Sequence, residues 1–276
     1  MPSWSIHRLI TSSVVDEVRR LGYSCSEEFL RGVYEGVVDP DRSPDIESVT
    51  RVRVRRGKLY IREQKTYARH HGASKSIIDY YYNLSLYYAR RGDLCKSGFM
   101  LGRALHYAQD YPLKRRKWLI LDIHEKLEGE IEEIADDVIN KGFCRDSEDV
   151  AKDVKKILKQ STKPEQVLCT SYRASKAMIM QYLNELREEV DKKKLAKAVR
   201  TVKTVKWLSG LVLWTATFAL HSPTLLLFTI FASIFIAMYR PSIYYKAMRA
   251  GLMIVKPVGT KPAYTGQEKV PACHKP

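Results

Sequence analysis

The sequence predicts an all-α protein: a multi-helix domain with a small β-hairpin insertion, followed by a C-terminal apolar helical hairpin. Three observations carry this. Apolar residues recur at helical spacing behind recognisable start signals through residue 204, only residues 51–63 alternate as strands do, and residues 205–239 are almost free of charge. Of the 276 residues, 45% are hydrophobic and 28% charged, which excludes a disordered chain and leaves material for a core.

Each element has its own signal. Ser26-Glu27-Glu28-Phe29 opens a helix with a side-chain cap. Arg51 to Glu63, RVRVRRGKLYIRE, alternates about Gly57 and reads as a β-hairpin. Ser74 to Arg91 is an aromatic-rich helix ended by Gly92, Asp93 caps a helix through Asp110, and Leu119 to Asn140 continues the pattern. Ser147 begins a short helix. Thr162-Lys163-Pro164-Glu165 is a capping box that opens a long helix running toward a lysine-rich stretch. The tail after Lys256, with Pro257, Pro262, Pro271 and Pro276, reads as unstructured. The chain thus divides into a helical domain at 1–145, a helical extension with a basic juxtamembrane segment at 146–204, a hairpin at 205–240, and a basic, disordered tail at 241–276.

Val205 to Leu220 and Leu225 to Tyr239 are two apolar runs separated by His221-Ser222-Pro223. At 1.5 Å per residue each reaches about 22 to 24 Å, short of a bilayer core of about 30 Å, so the hairpin crosses or dips into a membrane. Leu226 to Met238 has no polar face for water. Lys192, Lys193, Lys194, Lys197, Arg200, Lys203 and Lys206 precede the hairpin, and Arg240, Lys246 and Arg249 follow it. By the positive-inside rule this localises the protein to a membrane with its N-terminal domain on the cytoplasmic side, and the same lysines suit anionic headgroups of membrane lipid. Lys plus Arg is 47 and Asp plus Glu is 31, so the net charge of 47 − 31 = +16 also fits nucleic acid or another phosphate ester. Five cysteines without a CxxC pair argue against a disulfide scaffold and for a reducing compartment, and the first ten residues carry no apolar run of secretory-leader length.

Histidine is where the pattern becomes chemical. His106 and Asp110 stand four apart in LGRALHYAQD, so on a helix both project from one face and can meet one metal; His124 and Glu128 repeat that spacing in LDIHEKLEGE. Upstream lie His7 near Trp4, the pair His70-His71, and carboxylates in the proline-stiffened loop Asp39-Pro40-Asp41 and Ser43-Pro44-Asp45. Imidazole with carboxylate and little thiolate favours zinc, with manganese or iron as alternatives.

In this order the residues resemble the zinc-dependent phospholipase C family and its single-strand nuclease relatives over about residues 4 to 130. The matches are Trp4 and His7, Asp41 of GVVDPD, His70 or His71, His106 with Asp110, and His124 with Glu128. The resemblance implies an all-helical fold and one to three zinc ions held by His7, Asp41, His70 or His71, His106, Asp110, His124 and Glu128. It departs at Lys114, which stands where the family has a histidine, and at Trp4, which is internal to this sequence. The implied activity is hydrolysis of a phosphodiester by metal-activated water, with Asp41 or Asp110 orienting or deprotonating that water and Lys114 supplying fixed positive charge. A membrane hairpin favours a phospholipid headgroup as substrate. Tyr80, Tyr81, Tyr82, Tyr87 and Tyr88 would serve single-stranded nucleic acid by stacking, although their helical placement suits core packing better. A non-catalytic membrane-bound protein with a degraded metal site is the reading from a different class.

Overall fold

The computed structural model describes residues 4–55, 58–67, 75–114, 117–118, 121–122, 124–144, 154–220, 223–257, 260–264 and 273. Among them the chain is mostly helical. The helices are α1 (Trp4–Arg20), α2 (Glu27–Gly36), α3 (Asp39–Arg42), α4 (Lys75–Ala89), α5 (Leu94–Asp110), α6 (His124–Asn140), α7 (Val154–Ile157), α8 (Pro164–Arg187), α9 (Lys192–Leu220), α10 (Pro223–Met238) and α11 (Ser242–Arg249). The strands are β1 (Ile46–Arg55), β2 (Lys58–Tyr67), β3 (Lys117–Trp118), β4 (Leu121–Asp122) and β5 (Thr260–Lys261). β1 pairs antiparallel with β2 from Ile46↔Tyr67 to Arg55↔Lys58, and β5 adds to the free side of β1.

Local chemistry explains the helix ends. Ser26 accepts the Phe29 amide at the start of α2, and Asp93 accepts the Lys96 amide at the start of α5. Gly92, at φ 83°, provides the left-handed turn that reverses the chain between α4 and α5. α8 begins at Pro164, with Lys163 at the cap position making no side-chain cap bond. Proline needs no amide partner at that position.

The core joins α1, α2, α4, α5, α6 and α8, and two features fix its geometry. α2 and α5 cross backbone to backbone through glycines. A Cβ at Gly98 would lie 2.0 Å from the Phe29 carbonyl oxygen, one at Gly36 would lie 2.1 Å from that of Phe99, and Gly32 and Gly102 are equally tight. The second feature is a buried cation. Arg103 donates to Asp39, to Asp45 Oδ2 at 2.9 Å and to the Ser43 carbonyl at 3.1 Å, while the Tyr81 and Tyr107 hydroxyls donate to Asp45 at 2.5 Å. Each buried charge thus has charged and hydrogen-bonding partners.

Several expectations are corrected here. α8 lies in the same core as α1, α5 and α6, so residue 145 is not a domain boundary. The Asp39-Pro40-Asp41 loop is the one-turn helix α3, and Asp39 and Asp45 serve Arg103. The tail is not free: residues 242–249 form α11, the Ala263 amide donates to Asp45, the Tyr80 hydroxyl donates to the Tyr264 carbonyl, and Cys273 bonds to Cys95. A second disulfide joins Cys144 to Cys169 and leaves Cys25 as the free thiol. The disulfide partners lie 178 and 25 residues apart, so only folding reveals them, and the premise for a reducing compartment falls. Tyr80, Tyr81, Tyr82 and Tyr88 are buried in the core, which removes them as stacking platforms for bases.

The apolar hairpin is present as α9 packed against α10. Thr217 and Thr229 share a hydrogen bond of 2.5 Å inside it, and Lys206 Nζ donates to the Tyr239 carbonyl at 2.9 Å, so the two legs run antiparallel. Among the described residues one segment, Thr224–Arg249, is long and apolar enough to cross a membrane, with a mean hydropathy of 1.7 and only 6% of its most apolar stretch buried. Helical structure breaks within it between Met238 and Ser242, at Pro241, so its apolar part is α10.

Candidate metal centre

Three helices bring the site together. His7 is on the buried face of α1, Asp41 lies within the single turn of α3, and His106 and Asp110 are one turn apart on α5. The glycine crossing sets α5 against α2, and His106, four residues beyond Gly102, reaches the Val37 carbonyl that follows α2 at 2.8 Å. His7 Nε2 lies 3.4 Å from Asp110 Oδ1, and His106 Nε2 lies 3.3 Å from Asp110 Oδ2 and 3.7 Å from Asp41 Oδ1. His7, Asp41 and His106 each offer one ligand atom, all within 4.8 Å of one another. A tetrahedral ion with arms of about 2.1 Å holds its ligands about 3.4 Å apart, so the observed spacing suits a small divalent cation.

The hydrogen bonds decide the tautomers. The Val37 carbonyl can only accept, so the His106 Nδ1 carries the proton and donates. His7 Nδ1 meets Gln109 Oε1 at 2.7 Å, and the Gln109 amide nitrogen is committed to Thr11 and Ser175 at 3.1 Å each, which leaves its oxygen as the acceptor. Both neutral imidazoles therefore aim an Nε2 lone pair at carboxylate oxygens, an arrangement that a cation between them satisfies. His7 Nε2 and both Asp110 oxygens are buried without a hydrogen-bond partner among the described residues.

Electrostatics agrees. Burial pushes the Asp110 carboxyl up to about 8, with the Glu128 charge adding to the shift. Burial also raises Asp41, against the pull of His7 and with Asp110 adding repulsion, and it lowers His7. Without a cation, then, the centre favours a protonated Asp110 and a neutral His7. Folding binds a proton at Asp110, so that contribution to stability is fully present only below the unfolded value of 3.8 and is lost progressively as pH rises from there through about 8. Between pH 7 and pH 9 the metal-stripped protein is expected to lose about 1 kcal/mol, read as a falling Tm. A divalent cation bound there would displace that proton, so affinity for added zinc is expected to climb over the same interval, as calorimetry at stepped pH would measure. A flat affinity would show that Asp110 is not a ligand.

Of the other expected ligands, Glu128 is buried in the first turns of α6, close enough to Asp110 to affect its charge. His124 begins α6, but its side chain lies outside the described residues, as do His70 and His71 entirely. Lys114 is exposed beside the bridge between Leu113 and Ser161, which counts against its supplying charge to a buried centre. Sequence reasoning missed Gln109, Thr11 and Ser175, which orient His7. Gln109 had a signal, since it adjoins Asp110 in HYAQD; the Val37 carbonyl had none. No family model matches the chain, and neither a curated protein nor a solved structure does.

Proposed function

We propose that the protein is a membrane-anchored, zinc-dependent phosphodiesterase that hydrolyses phospholipid headgroups as a phospholipase C does. The observation that carries this reading is the convergence of His7, Asp41, His106 and Asp110, with both Nε2 lone pairs turned inward. A divalent cation there supplies Lewis acidity, which makes water nucleophilic near neutral pH and offsets charge growing on phosphoryl oxygens. Gln109 and the Val37 carbonyl hold the two imidazoles in register. Asp41, the less buried of the two aspartates, orients the attacking water, and Asp110 holds or releases a proton. The +16 charge supports an anionic substrate.

A second reading is a metal that only stabilises the fold. It is favoured by the burial of His7, His106 and Asp110 and by the number of donors: four protein ligands would close a tetrahedral site, whereas three leave a position for water. Elemental analysis of the purified protein and parallel hydrolysis assays separate the two. His106 lies 13 residues along α5 from Asp93, about 20 Å from the end where Arg90 contacts Glu185 and Glu188 just before α9. The assay therefore uses dispersed short-chain phospholipid as well as bilayers, with single-stranded DNA in parallel. Stoichiometric metal and chelator-sensitive release of a phosphorylated headgroup are expected. His106→Ala should lower metal affinity more than about a hundredfold, since loss of a mere supporting partner costs 10- to 100-fold, and should abolish hydrolysis. Bound metal without turnover on any of these substrates would establish the structural reading.

A further inference from the structure

We propose that the base of the α9–α10 hairpin is a docking surface for an anionic bilayer, with the cations around it engaging the headgroups of a single leaflet. The inference rests on the membrane reading of the hairpin and is independent of hydrolysis at the metal centre. α9 changes character once along its axis. Lys192 to Lys206 carries seven cations and no acid, and Trp207 to Leu220 carries neither. On the other leg, uncharged α10 is followed by Arg240 and then Lys246. The contact between Lys206 Nζ and the Tyr239 carbonyl holds the two changes of character at one level. A flat boundary between hydrocarbon and headgroups fits that level, with Trp207 and Tyr239 exposed at the rim where amphipathic rings settle.

Below that level the apolar surface is not one stripe. Trp207, Val212 and Phe218 on α9, and Leu227, Phe228, Phe231 and Phe235 on α10, are all exposed, which suits a surrounding solvent of acyl chains. Above it, Lys192, Lys193, Lys194, Lys197, Arg200, Lys203, Arg240 and Lys246 are exposed, and none forms a salt bridge among the described residues. Their charge is thus left for a partner. Arg200, Lys203 and Arg240 lie within about 9 Å of the boundary along the helices, close to the depth of a headgroup layer. The apolar legs, Trp207 to Leu220 and Pro223 to Met238, reach only about 21 to 24 Å, so the hairpin enters and leaves through the same face and every cation addresses that face. Anionic lipid is the complementary occupant.

The test uses the full-length protein reconstituted in mixed vesicles whose brominated acyl chains belong either to phosphatidylglycerol or to phosphatidylcholine, at equal mole fraction. Bromine quenches tryptophan on contact, so Trp207 and Trp214 report which lipid surrounds the hairpin. Each cation near the surface enriches anionic lipid by about fivefold, so quenching by the brominated phosphatidylglycerol should be clearly the stronger. The preference should vanish in the triple variant Arg200→Gln, Lys203→Gln, Arg240→Gln. It should also vanish in the wild type at about 1 M salt, where the screening length falls to about 3 Å; this second measurement needs no altered chain. Equal quenching by the two lipids, or a preference indifferent to salt, would overturn the proposal, as would absence of quenching by either.

Discussion

Arg103→Met is expected to cost about 4 kcal/mol, because it strands two carboxylates in the core. Asp39 and Asp45 both rely on the guanidinium, and Asp45 also receives the Tyr81 and Tyr107 hydroxyls and the Ala263 amide. Removing the cation leaves that network with acceptors and no counter-charge. For a chain of this size the corresponding fall in Tm is about 8 to 16 °C, measurable by calorimetry. Adding Asp39→Asn and Asp45→Asn should recover part of it, since the neutral amides no longer need a cation. A triple variant no more stable than Arg103→Met would mean that packing, not charge, sets the loss.

Gly98→Ala is expected to cost about 3 kcal/mol and, unlike the arginine change, to disturb the metal centre directly. The new methyl would sit 2.0 Å from the Phe29 carbonyl oxygen, which is backbone and cannot swing away, so α2 and α5 must separate. His106 is held by the Val37 carbonyl beyond α2 and Asp41 by α3, so separation pulls the two ligands apart. Zinc affinity should fall together with Tm. Gly129→Ala, on α6 with open space around it, is the control: it should leave zinc affinity nearly unchanged and raise Tm slightly, since alanine is the better helix former. If Gly98→Ala lowered Tm but kept full zinc affinity, the crossing would not position the site.

Local signals carried part of this structure into the sequence. The α5 helix was legible because Asp93 caps it and its apolar residues recur at helical spacing, and that made the one-face geometry of His106 and Asp110 legible as well. The two legs of the hairpin were legible from the silence of charge. What was not legible depends on contacts between distant segments. Gly32, Gly36, Gly98 and Gly102 look like ordinary helix interruptions until the two helices are laid together. Asp39 and Asp41 stand two apart in one proline-containing turn, and nothing local indicates that the first serves Arg103 while the second faces His106. The cysteine pairs and the docked tail were hidden for the same reason, since their partners are brought near only by the completed core.

The return of the chain after α10 has a mechanical consequence. α9 leaves the core directly after α8, whose end is tied to Arg90, while α11 comes back through Arg249 to Asn83 and Glu185, and the segment beyond it is stitched down by β5 and Cys273. A domain hung from a single strand of polypeptide would swivel; one gripped at two places has little freedom to wobble. Any tilt of the hairpin is therefore passed to the end that holds His7, Asp41 and His106 as a change of heading, much as a keel sets the bearing of a hull.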